Sequence, residues 1–195
     1  MGIIEALVRQ SGKPSGMLGR IMVKIMNHMD SGLNQWILEK INYPSGCVLD
    51  IGCGGGETIY TLLKNNKVNH VIGIDYSIDS VNVAKRKNAT FIKNGIADII
   101  HGNVTSLPFL KSQFDLILSV RSHYFWDDLE KGLTEIYRTL KQEGKMIIFS
   151  ERYKIQYHMK KYRTDESMTS LLQTVGFKNI RIEKKNAVQC ILANK

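Results

Sequence analysis

Hydrophobic positions in this chain follow two rhythms. Short continuous apolar runs alternate, from Cys47 onward, with stretches in which apolar residues recur every three to four positions. The runs at residues 47–51, 71–75, 96–101, 114–120 and 145–150 read as strands. Parallel strands covered on both faces give such unbroken runs, whereas half-exposed strands alternate. The intervening stretches read as amphipathic helices with recognisable ends. Residues 58–63 open one helix, and Ser77 caps a second through Val81, Ala84 and Lys85. Asp127 and Glu130 form a capping-box pair for a third, with a stripe at Leu129, Leu133, Ile136, Tyr137 and Leu140 and an end at Gly144. Thr164 caps a fourth, striped by Met168, Leu171, Leu172 and Val175 and closed by Gly176. Strands at residues 179–184 and 187–192 flank the turn Lys185-Asn186. That turn is too short for a parallel crossover, so the last strand must run antiparallel to its neighbour. Alternation of this kind predicts an α/β domain with helices on both faces of a mostly parallel sheet.

Residues 1–43 stand apart. A Gly/Pro/Ser-rich stretch at residues 11–19 leads into a stripe of Leu18, Ile21, Met22, Ile25, Met26 and Met29, and a shorter helix from Asp30 and Ser31 carries Leu33, Trp36, Ile37 and Ile41. The spacing predicts an N-terminal helical arm, either packed on the core or serving as a lid, ahead of a domain at residues 44–195.

The chemistry concentrates in Asp50-Ile51-Gly52-Cys53-Gly54-Gly55-Gly56, where a strand delivers an aspartate and glycines follow at every second position. A strand-to-helix turn of this composition bends sharply, lets a ligand touch the backbone, and points the N–H groups of the next helix at it. A nicotinamide fingerprint would place its third glycine where Glu57 stands. A second strand ends in Asp75 about 20 residues beyond the glycines, the separation at which an acid accepts the hydroxyls of a ribose.

These two motifs resemble those of class I S-adenosylmethionine-dependent methyltransferases, in particular the small-molecule "type 11" group. The resemblance implies a Rossmann-like, doubly wound sheet of seven strands whose last strand is antiparallel, with S-adenosylmethionine as cofactor. It carries Asp50, Gly52, Cys53 and Gly54 over to the loop holding the methionine half, Asp75 to the ribose, and Tyr76 to the adenine edge. Gly102, Asn103 and Val104 correspond to the adenine-reading segment, with Asn103 where an aspartate is frequent, and Ser119 and Val120 to the end of the fourth strand. Methyl transfer from a sulfonium is an in-line displacement in which the protein chiefly aligns the partners. A base is needed only when the acceptor arrives protonated, and His123 and Tyr124 are the candidates, packing at a strand-to-helix corner being their other reading. Arg121, Tyr124, Phe125, Arg152 and Tyr153 follow the fourth and fifth strands, where ligands of parallel sheets bind, and are the candidate acceptor-binding residues. The acceptor is expected between the arm and these loops.

Net charge of +9 narrows the acceptor. From Lys141 to Lys195 twelve Lys/Arg face five Asp/Glu, and residues 152–163 contain basic residues and tyrosines without an acid. Arg121 and Arg152 lie nearer the expected ligand edge than Lys160, Lys161 and Arg163, which favours a small, acidic acceptor over RNA. An RNA methyltransferase using this tail, and a non-catalytic cofactor-binding module, are the alternatives. No metal-ligand spacing is present. No apolar run nears the ~20 residues of a membrane span, and Cys47, Cys53 and Cys190 fit buried thiols of a reducing cytoplasm. Oligomeric state is not encoded in any of these patterns.

Overall fold

The computed structural model describes residues 31–41 and 46–195. Helix α1 spans Ser31–Lys40, followed by β1 Cys47–Ile51, α2 Glu57–Lys64, β2 His70–Asp75, α3 Ile78–Lys87, α4 Ala89–Lys93 and β3 Ala97–His101. After them come β4 Phe114–Val120, α5 Leu129–Thr139, β5 Leu140–Glu151, α6 Arg152–His158, α7 Asp165–Val175, β6 Lys178–Lys185 and β7 Val188–Asn194. The strands form one seven-stranded sheet in the order β3-β2-β1-β4-β5-β7-β6. Pairings β1–β4, β2–β3 and β4–β5 are parallel, and β7 runs antiparallel to both β5 and β6. This is the doubly wound, Rossmann-like arrangement with one reversed strand.

The chain forms two compact units. One holds the described residues up to Gly46 with Gly52–Gly102, and the other holds Cys47–Ile51 and Asn103–Lys195. In the first, Trp36 and Ile37 of α1 and the following Ile41 are buried, and Ser77 accepts the Ser80 N–H as N-cap of α3. In the second, Leu116, Ile117 and Leu118 of β4 and Ile148 and Phe149 of β5 are fully buried, which explains why both strands read as continuous apolar runs. The outer strand β6 carries Lys178, Arg181, Glu183, Lys184 and Lys185, charges that suit an edge. Thr164 and Ser167 form a reciprocal capping box on α7, and Gly176 ends it in the left-handed region.

Four local readings change. The N-cap of α5 is Asp128, whose carboxylate accepts the Lys131 N–H, so the acid one residue after Asp127 takes the role. Helix α5 stops at Thr139, five residues before Gly144, because Leu140 already pairs with Phe114 in the sheet. Residues 89–93 add a short helix. The basic stretch after β5 opens with a helix, α6, anchored by buried Ile155 and Met159. Residues 1–30, which carry the methionine stripe of the expected arm, lie outside the described residues.

Candidate active site

The glycine turn is fastened to the second strand by its backbone. Gly52 and Cys53 donate their N–H groups to the Ile74 carbonyl at 2.8 and 3.2 Å, and Gly56 closes the turn on Cys53 at 2.9 Å. Gly54 donates to one oxygen of Asp75 and Ser77 to the other, both at 2.8 Å. A carboxylate offers about four acceptor positions, so two remain for the paired hydroxyls of a ribose. Burial pushes the Asp75 carboxyl up, against the opposing pull of the two N–H groups and His101. Tyr76 and Ile78, 47% and 55% exposed, form an apolar step beside it, and a Cβ on Gly54 would meet nothing within 4 Å. A nucleoside with a charged tail fits this arrangement: hydroxyl donors for the acid, apolar side chains for a flat base, open backbone for the tail. Gly102 extends the same end of the sheet by donating to the Asp75 carbonyl at 3.0 Å.

Asn88 is a part of this turn that sequence reading does not find. It is fully buried, and its Nδ2 donates to the Gly56 and Ala84 carbonyls, each at 3.0 Å. Both partners are acceptors, which fixes the amide orientation. Gly56 has φ +76°, and a Cβ there would lie 2.4 Å from Asn88 Nδ2. The third glycine is therefore required twice, by its backbone angle and by this clamp. The separation of 32 positions along the chain explains why no local pattern signals it.

In the second unit, Asp50 and Ser119 are buried to 1% exposure. Ser122 Oγ gives its only proton to the Ile51 carbonyl at 2.8 Å, so Ser119 must be the donor in the 2.8 Å contact between the two hydroxyls. Asn103 Oδ1 accepts from the Thr105 N–H and hydroxyl at 2.9 and 3.1 Å, which spends that oxygen on its own turn. Val104 is buried, and Val120 closes β4.

The ends of β4 and β5 build a cluster around Glu151, a residue sequence reading passes over because it directly precedes the basic stretch. Tyr124 donates its hydroxyl to Glu151 Oε2 at 2.7 Å, Arg121 Nε lies 2.8 Å from Oε1, and Lys154 Nζ lies 3.4 Å from Oε1. Burial raises the Glu151 carboxyl, but Arg121, the tyrosine hydroxyl and Lys154 outweigh it and hold it below its ordinary range. Arg121 adopts φ +59°, a strained angle for a side-chain-bearing residue, while its N–H donates to the Phe149 carbonyl at 2.8 Å. Phe125, Tyr124 and His158 pack their rings together beside the cluster. Arg152 and Tyr153 are exposed on α6.

Burial makes both candidate bases poor proton acceptors. His123 is 1% exposed and shares a 2.9 Å hydrogen bond with Ser150 through Nδ1; burial pushes its pKa down to about 3. It is a neutral core imidazole out of reach of a ligand. Burial, then the Glu151 charge, drives the Tyr124 phenol far above its ordinary value, so it stays protonated and donates. None of the cysteines forms a disulfide, and no metal-holding cluster occurs among the described residues.

A glycine turn after β1 on a seven-stranded sheet with β7 reversed is the arrangement of class I S-adenosylmethionine-dependent methyltransferases, and this chain is one of them. The chain belongs to the methyltransferase domain family, which residues 49–148 match. It is 30% identical to the uncharacterized methyltransferase YdaC of Bacillus subtilis over 83% of this chain and 88% of that protein. It is 26% identical to the chloroplastic 2-methyl-6-phytyl-1,4-hydroquinone methyltransferase of Arabidopsis thaliana, over 74% of this chain and 44% of that one. The fold matches phosphoethanolamine N-methyltransferase 2 of Haemonchus contortus, solved with S-adenosyl-L-methionine, at a TM-score of 0.76 and 18% identity, over 91% of this chain and 56% of that one. Membership in an enzyme family sets aside the non-catalytic cofactor-binding module.

Two outcomes are expected. Asp75→Ala weakens S-adenosylhomocysteine binding about ten- to a hundredfold by calorimetry, the worth of charge-assisted bonds of roughly 1.5–3 kcal/mol, and Asn88→Ala weakens it about three- to tenfold. Since the hydroxyls need the ionised acid, wild-type affinity falls with acidification from a pH above the ordinary 3.8 of an aspartate. Unchanged affinity in Asp75→Ala would remove the ribose assignment.

The second concerns His123. The unfolded chain binds a proton near pH 6.5 and the folded chain only near about 3, so stability is lost as pH falls between these values. Denaturant unfolding is expected to show about 2 kcal/mol less stability from this group at pH 5 than at pH 7.5, a slope that His123→Asn flattens.

Proposed function

We propose that this methyltransferase acts on a small molecule presented at the carboxyl ends of β4 and β5. The observation that carries the reading is the Glu151 cluster: a buried carboxylate at the last position of β5 is tied to Arg121 and Tyr124 from the end of β4 and to Lys154 of α6. Ligands of parallel α/β sheets bind beyond these strand ends. The names of two relatives point the same way, since one acts on a phytyl hydroquinone and another on phosphoethanolamine. The expected contribution of an N-terminal arm concerns residues outside the described ones.

The cofactor, when bound, supplies an electrophilic methyl carried on a sulfonium. Asp75 and the Tyr76–Ile78 step would hold it through its nucleoside, and Asp50, Gly54 and Ser119 are the carried-over positions for its methionine half. Glu151 fixes the Tyr124 hydroxyl and the Arg121 guanidinium, giving the acceptor a rigid polar and aromatic wall in Tyr124, Phe125 and His158. Preorganised positioning of this kind supplies much of the rate of a displacement reaction. Because His123 is sealed and Tyr124 stays protonated, the acceptor brings its own lone pair, as a neutral amine, a thiolate or an ionised hydroxyl does.

The basic stretch is less available to RNA than its composition implies. Lys161 pairs with Glu130 at 2.8 Å, and the Tyr162 hydroxyl bonds the same carboxylate. Incubation with tritiated S-adenosylmethionine against fractionated metabolites and total RNA is expected to label a metabolite fraction, and label confined to RNA would overturn the proposal. Glu151→Gln is expected to lower kcat/KM for that fraction about tenfold or more while S-adenosylhomocysteine affinity stays as in wild type, consistent with losing one charge-assisted contact.

A further inference from the structure

The second unit contains a cleft of about 370 Å³ beside the Glu151 cluster, walled by the first turn of α6, the start of α7 and the β6–β7 hairpin. Its charges do not cancel. Lys184 is paired with Asp165 at 2.5 Å, but the guanidiniums of Arg152 and Arg163 make no ion pair or side-chain hydrogen bond among the described residues. Arg163 is eleven residues beyond Arg152 in the sequence, and α6 folds the chain so that both line one space. Glu166 also lines the cleft, which leaves one net positive charge.

The floor supplies a second, independent observation. Gln189 is only 8% exposed, stands in β7 between Ser150 and Lys184 in the strand register, and lines the cleft. Its amide makes no side-chain hydrogen bond among the described residues, and neither amide atom is sealed from the cleft. Ser150 beside it is already committed to His123. An amide that opens on a cleft and makes no bond within the protein has its donor and acceptor available to whatever occupies that cleft. Tyr153, 64% exposed, adds an aromatic face.

We propose that this cleft holds a carboxylate or phosphate group at one end of the methyl acceptor, with Arg152 and Arg163 pairing with the oxyanion, the Gln189 amide donating to it, and Tyr153 covering the adjoining carbon skeleton. The assignment rests on the small-molecule reading above. Arg152 directly follows Glu151, so the anion-binding residue and the polar wall are one Cα step apart along the chain, ~3.8 Å. A single net charge suits a small mono- or dianion and gives little to a long polyanion, whose binding grows with the number of phosphates neutralised. Arg121, expected from sequence to share this task, is instead engaged with Glu151.

The test uses benzoate and phenyl phosphate as separate probes, titrated into the wild-type chain and into Arg152→Gln, Arg163→Gln, the double variant and Gln189→Leu. S-Adenosylhomocysteine affinity serves as the check on folding. One probe is expected to saturate wild type in the millimolar range, and the probe that does so identifies carboxylate or phosphate as the group. Each arginine replacement weakens it about fivefold or more, Gln189→Leu weakens it while S-adenosylhomocysteine binding persists, and the double variant abolishes it. The bound probe also inhibits transfer of tritiated methyl into the metabolite fraction. Absence of saturable binding of either probe up to about 50 mM, undiminished binding in the double variant, or binding without inhibition each overturns the subsite while leaving the small-molecule reading standing. Label found only in RNA overturns both.

Discussion

One carboxylate organises the glycine turn of this enzyme. Asp75 accepts the N–H of Gly54 with one oxygen and that of Ser77 with the other, so the same side chain fastens the glycine turn and the start of α3 to the end of β2. The strong cost of burying an acid is offset by backbone N–H donors at a turn and a helix start. Asn88 works from the opposite side, holding Gly56 at the point where the turn becomes α2. Between these two clamps the loop has little freedom left, which is the condition for a backbone that must meet a ligand at close range.

The ends of β4 and β5 are organised by a different acid in a different way. Glu151 is surrounded by two cations and a phenol rather than by N–H groups, so its charge orients side chains instead of main chain. A buried carboxylate that loses its partners is expensive, and for that reason the cluster holds Arg121 at a backbone angle it would otherwise avoid.

What the sequence displayed was whatever depends on neighbours in the chain. The glycine turn, β4 to the residue, and the caps at Ser77, Thr164 and Gly176 all rest on spacings of a few residues, and each appears in the structure as read. The places where reading and structure part depend on pairings across the fold. Helix α5 ends early because Leu140 is claimed by Phe114, and α6 forms because Ile155 and Met159 find a core that its charges conceal. Glu151, Asn88 and Gln189 have no motif. Their importance comes from what lies opposite them, and His123, conspicuous in sequence, is set by burial into a packing role.

The reversed strand has a consequence for the order of events in the cell. Strand β7 follows β6 in the chain but is inserted between β6 and β5. While residues 188–194 are still inside the ribosome, β5 presents Met146, Ile147, Ile148 and Phe149 along a bare edge, without the charges that guard β6. The β5 edge is then open to mispairing until this stretch emerges, and one seven-residue strand both closes that edge and seats the outer one.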